Sequence, residues 1–137
     1  MKCVTSKVKL NMPKIRQLDK ATTKSLEMTV DALRTEVVMA QVMPFGDSYD
    51  RGGKHHQGGT MQNTSTFPDY DQSHKGIVKL VTSTPYARRM YFHPEYNFRK
   101  IDNPNARGNW YEPWISGKHK NFCSKAFSQF YKKEAGL

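Results

Sequence analysis

Val4, Ser6, Val8 and Leu10 alternate with Thr5, Lys7 and Lys9, the period-two rhythm of a short strand with one buried face. The rhythm then changes. Ile15, Leu18, Thr22, Leu26, Thr29, Leu33, Val37 and Ala40 recur every three or four residues, the period of one helix face. Asn11 before this run and Pro13 in its first turn are helix-start signals, and nothing interrupts the pattern until Pro44. The spacing predicts a helix of about 30 residues, roughly 45 Å long at 1.5 Å per residue. Its apolar stripe is thin and partly threonine, which suits a helix lying on a sheet better than one inside a bundle.

Residues 44–59, PFGDSYDRGGKHHQGG, hold five glycines and little apolar material. Such a stretch cannot offset its own ordering entropy and reads as a flexible loop. Thr60 to Phe67 is rich in threonine, and Gly76 to Ser83 is rich in branched residues. The turn formers between them predict two antiparallel strands. Tyr86 and Met90 are spaced for one face of a short helix, with continuation of the strand as the competing reading. Residues 93–113 contain three prolines and no clear period. A loop of that length in a compact domain serves a function or is disordered, and its aromatics argue against disorder. From Trp114 to Ala135 the helical period returns through Phe122, Ala126 and Phe130, with Gly136 as terminator. The predicted architecture is one α+β domain over residues 1–137. A long N-terminal helix packs on an antiparallel sheet of strands 4–10, 60–67 and 76–83, and a C-terminal helix follows an extended arm at 93–113.

Composition changes this picture in two ways. Hydrophobic residues make up only 36% of the chain and aromatics 12%, so part of the apolar burial is expected to come from neighbouring subunits. The net charge is +10, and it sits at the two ends. Residues 1–40 carry eight bases against four acids, residues 88–137 ten against four, and the middle is balanced. That pattern fits phosphate neutralisation or contact with acidic protein surfaces. Cys3 and Cys123 form no multi-cysteine framework and are expected to be free thiols in a reducing cytoplasm. No stretch is long and apolar enough to suggest a membrane partner.

The residues give little support for catalysis. His55 and His56 are adjacent, which suits a solvated loop better than a metal site. Asp69 and Asp71 flank Tyr70 near His74, a spacing that a polar turn also produces. No nucleophile with a base and no phosphate-cradling glycine motif is present. We therefore expect no enzymatic activity, no catalytic or metal residues and no cofactor. The richest segment is Thr84 to Trp114, where Arg88, Arg89, Arg99, Lys100 and Arg107 interleave with aromatics. Arginines among aromatic rings stack on bases and pair with phosphates, and the same mixture supplies hot spots in protein interfaces.

At this segment the chain resembles the minor capsid proteins of tailed phages of Gram-positive hosts. The resemblance runs through Thr84-Pro85-Tyr86-Ala87-Arg88-Arg89-Met90-Tyr91, His93-Pro94 and Asn97-Phe98-Arg99-Lys100. It continues through Asn103-Pro104-Asn105-Ala106-Arg107-Gly108, Trp114-Ile115-Ser116-Gly117 and Phe130 to Gly136, with Gly59 to Thr64 as a further match. It implies a head–tail connector, or tail-completion, protein of the virion neck, made in the host cytoplasm. Such a protein forms a ring of six or twelve copies. Its neighbours are neck proteins, on the portal or adaptor side and on the tail-terminator or tail-tube side, and genomic DNA passes through without sequence-specific binding. Candidate subunit contacts are then Tyr86, Arg88, Arg89, Tyr91, Tyr96, Phe98, Arg99, Arg107, Trp110, Tyr111 and Trp114. The loop 44–59 and the arm 93–113 are expected to order against adjacent subunits. A channel lined by arginine would hold DNA too tightly to let it slide, so most of the basic surface is expected to face acidic neighbours. The alternative is a basic nucleic-acid-binding protein that uses the aromatic, arginine-rich arm.

Overall fold

The computed structural model describes residues 3–45, 48, 49, 55, 56 and 59–137. The long helix is present as α1 (Met12–Met39), 28 residues. Its start follows the sequence signals: the Asn11 side chain accepts a hydrogen bond from the Lys14 N–H at 3.2 Å, and Pro13 occupies the first turn, where its missing N–H costs nothing. Its end comes before the expected Pro44. Gln41 adopts a left-handed φ of 56°, a reversal more often supplied by glycine.

Strands β1 (Ser48–Tyr49) and β2 (His55–His56) pair with each other; the glycine-rich loop 44–59 otherwise lies largely outside the described residues. A single helical turn, α2 (Thr60–Asn63), leads into β3 (Thr66–Asp69). After a short 3-10 turn at Ser73–Lys75, β4 (Lys79–Thr82) pairs antiparallel with β3, Thr66 opposite Thr82 and Asp69 opposite Lys79. The helical reading of the next segment holds as α3 (Ala87–Tyr91). Helices α4 (Glu112–Ile115) and α5 (Phe122–Ala135) complete the fold. Gly136 ends α5 with φ of 71°, and the Leu137 N–H reaches back to the Lys132 carbonyl at 2.8 Å, a C-terminal cap that only a left-handed residue permits.

The α+β arrangement is as predicted, with corrections of detail. Residues 3–10 form no strand. They are exposed, because a strand needs a ladder partner and this segment has none among the described residues. The 60–67 strand loses its first half to α2. The 114–135 helix is broken at 116–121, where Gly117 packs on Pro113 so closely that a Cβ would lie 2.7 Å from the proline Cα. The main partner of α1 is α5, with the β3–β4 hairpin beside it. Ala21, Ser25 and Thr29, four residues apart, are buried, and these small side chains let α5 lie close. Lys24 pairs with Glu134 near the end of α5 at 3.2 Å, while Leu33, further along α1, lines a groove with Cys123 at the start of α5, so the two helices run in opposite directions.

On another face of α1, three polar side chains hold the hairpin. Glu27 accepts from the Ser73 hydroxyl at 2.9 Å, Asp31 accepts from the Tyr70 hydroxyl, and Arg34 donates to the Thr66 and Asn63 carbonyls at 2.8 and 3.1 Å. The Asp69–Asp71 pair is an ordinary turn, the Asp71 N–H donating to the Asp69 carboxylate at 3.0 Å. The core lies at the C-terminal end of α1, where Val37, Val42, Met43, Met61, Ala87, Trp110 and Trp114 cluster.

Two expectations follow. The Ser25 hydroxyl is fully buried without a partner, and such a group opposes folding. Ser25→Ala should raise stability by about 0.5–1.5 kcal/mol, seen as a melting temperature a few degrees higher; a lower one contradicts the assignment. Partial desolvation, then the hydrogen bond to Asp31 and the nearby carboxylates, pushes the Tyr70 phenol up to about 12. The folded state thus holds this proton more tightly than the unfolded chain does. The resulting stabilisation is complete below about pH 10 and is lost as pH rises towards the folded value. Absorbance titration of the phenolates should show a high-pH component whose amplitude falls by one tyrosine in Tyr70→Phe.

Candidate functional site

The segment carrying the sequence signal begins with α3 and ends with α4. The C-cap of α1 and the turn after it carry backbone carbonyls that need donors when they are taken out of water, and the arm at 93–113 supplies them. The Asn105 side chain donates to the Ala40 carbonyl at 3.0 Å, the Arg107 N–H to the Val42 carbonyl at 3.0 Å, and the Asn103 side chain to the Met43 carbonyl at 2.8 Å. Asn103 is buried, and its amide also donates to the Gln62 side chain at 2.7 Å. The arm is thus fastened to its own chain at three points. Gly108 makes the closest approach: a Cβ there would lie 2.7 Å from the Pro94 Cα, and the next N–H, of Asn109, donates to the Tyr91 carbonyl at 2.8 Å.

The aromatics divide into an inner and an outer set. Trp110 is 1% exposed and Trp114 8%. Both are spent on the core and have almost no surface to offer a neighbour, so they leave the set of candidate contacts. Tyr91 stands edge-on to Trp110, the ring centres 4.9 Å apart, in the geometry that ring quadrupoles favour. Tyr91 and Tyr111 are half-buried against the core. Burial pushes the Tyr91 phenol up from its ordinary value. The Tyr111 hydroxyl lies 2.6 Å from the Thr82 hydroxyl, which lies 3.1 Å from that of Thr66, and Thr66 donates to the Met61 carbonyl at 2.7 Å. This chain of hydroxyls ties the arm through both strands to α2.

The outer set forms a separate patch. His93 and Tyr96 stack at 4.8 Å, and Arg89 donates to the Tyr96 hydroxyl at 3.0 Å. His93 lies 2.6 Å from the Glu95 carboxylate, which this hydrogen bond holds below its usual range. Phe98 sits half-buried beside Tyr96. Tyr86, Arg88, Arg99 and Arg107 are exposed. Arg99 lies 3.9 Å from Asp102, and the Arg107 guanidinium donates to the Gly108 carbonyl at 3.0 Å. The structure therefore brings together Arg89 with Tyr96, and Tyr91 with Trp110 and Tyr111. Among the described residues, no group of three His, Cys, Asp or Glu side chains could hold a metal ion. Nor, among the described residues, is any helix long and apolar enough to cross a membrane.

The sequence reading missed Asn103 and Asn105. Their only sequence signal is an Asn-Pro-Asn turn inside the segment. Asn103→Ala should cost about 2–3 kcal/mol, because it leaves two buried acceptors unpaired. Asn103→Asp should cost at least as much, since it sets a carboxylate against those acceptors. Chemical denaturation of the purified variants measures both, and a loss within experimental error of zero would remove this residue as the fastening point.

No protein-family model matches the chain, and neither the curated proteins nor the solved structures contain a match to it.

Proposed function

We propose that this chain is a structural subunit of a tailed-phage neck, in a ring that joins the DNA-filled head to the tail. The observation that carries the reading is how much surface the chain leaves outside its core. Large apolar side chains stay outside it along much of the described chain: Leu10, Met39, Phe92 and Leu137 are 65%, 75%, 63% and 75% exposed. Val4, Val8, Ile101 and Ile115 are each more than half exposed. Apolar surface of that kind is covered in an assembly. The resemblance of Thr84 to Trp114 and its flanking motifs to phage minor capsid proteins supplies the identity of the assembly.

The arm's arginines favour protein contact over DNA. Arg89 and Arg107 already donate within the chain, and Arg99 faces Asp102. A phosphate-binding groove would instead gather such side chains along one track. In this role the aromatic patch at His93 and Tyr96 and the exposed Tyr86 and Arg88 are the contact residues, and no chemistry is performed.

Deleting the gene from the phage that encodes it should yield DNA-filled heads and finished tails that stay apart in electron micrographs. Joined, infectious particles from the deletion would end the proposal. A filter-binding titration of the purified chain should give DNA affinity weaker than micromolar with a shallow salt slope. Submicromolar binding that falls steeply with salt would favour the nucleic-acid reading.

A further inference from the structure

We propose that residues 4–10 of one copy add as a third, antiparallel strand to the open edge of β4 in a second copy. This names the contact through which copies of the ring join, and it rests on the proposed function only for closure into a ring.

The donor is the segment before α1. Val4, Val8 and Leu10 are 97%, 86% and 65% exposed, and with Ser6 they form one face of an extended strand. The acceptor follows from the ladder. The Ser83 N–H donates to the Ser65 carbonyl at 2.9 Å, and bonded positions alternate along an antiparallel pair. Lys79 and Val81 therefore turn their backbone groups toward β3, while Leu80 and Thr82 turn theirs to the open side. The other edge of the hairpin is unsuited to the task. Pro68 lies opposite Leu80 at an outward-facing position of β3, where it has no N–H to give.

Beside β4 runs an apolar groove of about 380 Å³, floored by Leu26, Val30 and Leu33 of α1 and walled by Leu80 on one side and Cys123 and Phe127 of α5 on the other. An added strand would satisfy the edge groups of β4 and lay Val8 and Leu10 into this groove in one step.

The chain's own segment is too short for this. Leu33 lies roughly 33 Å from Asn11 along α1 at 1.5 Å per residue. Val4 reaches back at most about 24 Å from Asn11 at 3.4 Å per residue, and Val8 and Leu10 stay level with the first turns of the helix. A second copy has no such tether. Head-to-tail donation from each copy to the next closes into a ring when the rotation allows, and reciprocal exchange gives a dimer.

The antiparallel direction sets Leu10 at the Val78 end of β4 and Ser6 near Thr82, toward the first turn of α5. A Cys3→Ser, Ser6→Cys protein places a thiol on the donor face, with Cys123 as the remaining thiol. Mixing unlabelled and ¹⁵N-labelled protein, oxidising mildly with copper phenanthroline and sequencing the linked peptides should find position 6 joined to Cys123 in mixed-isotope pairs. No such pair, or pairs within single chains only, overturns the proposal. In the otherwise native chain, Val8→Glu should weaken self-association at least tenfold by native mass spectrometry while the circular dichroism is unchanged. An oligomer indifferent to Val8→Glu overturns strand exchange but leaves a ring held by other contacts. A linked pair found only in closed dimers supports the exchange and overturns the ring.

Discussion

The fold hangs on the place where α1 ends. When a long helix stops inside a protein, its last carbonyls have no donors of their own, and leaving such groups dry costs more than any single apolar contact returns. Here the carbonyl of Ala40, the cap residue, takes its donor from Asn105, and those of Val42 and Met43, in the turn that follows, take theirs from Arg107 and Asn103, some sixty residues further along the chain. Once the arm is fixed there, Trp110 and Trp114 are delivered onto Val37 and Met43, and the core closes. The hydroxyls of Tyr111, Thr82 and Thr66 carry the same attachment across the hairpin. The core is thus a local event at one end of a long molecule.

That placement explains why so much apolar surface stays outside. α1 extends well beyond the core, and among the described residues α5 and the turn of the hairpin cover part of its N-terminal half. Met12 and Ile15 on its first turns are exposed. The segment before it has strand character but no ladder. A monomer built this way leaves apolar faces and a backbone edge available, and assembly is the physical outlet for both. The basic character is concentrated at the chain ends, and part of it is satisfied within the arm, where Arg89 and Arg107 donate to groups of their own chain.

Local signals were legible and distant ones were not. The Asn11 cap, Pro13 and the three-to-four-residue spacing mark α1 to within a few residues, and Gly136 marks the end of α5, because capping and periodicity depend on neighbours in sequence. The hairpin's existence was readable, but its first strand was placed too early because Thr60 to Asn63 turn back on Gly59, whose φ is +88°. The alternation at 4–10 predicts a strand that is not formed, because a strand exists only where another edge meets it. In the arm, Trp110 and Arg107 look equally suited to an interface. Only the tertiary contact with α1 buries the tryptophan and leaves the arginine outside, and no periodicity encodes that choice.

Amide hydrogen exchange on the isolated chain and on its assembled form tests this division of labour most directly. The Arg107 and Asn109 amides, which donate to Val42 and Tyr91, should be protected already in the isolated chain. The amides of residues 4–10 should exchange freely there and become protected only on assembly. Fast exchange at Arg107 and Asn109 in the isolated chain, or no gain of protection at 4–10 on assembly, would contradict it.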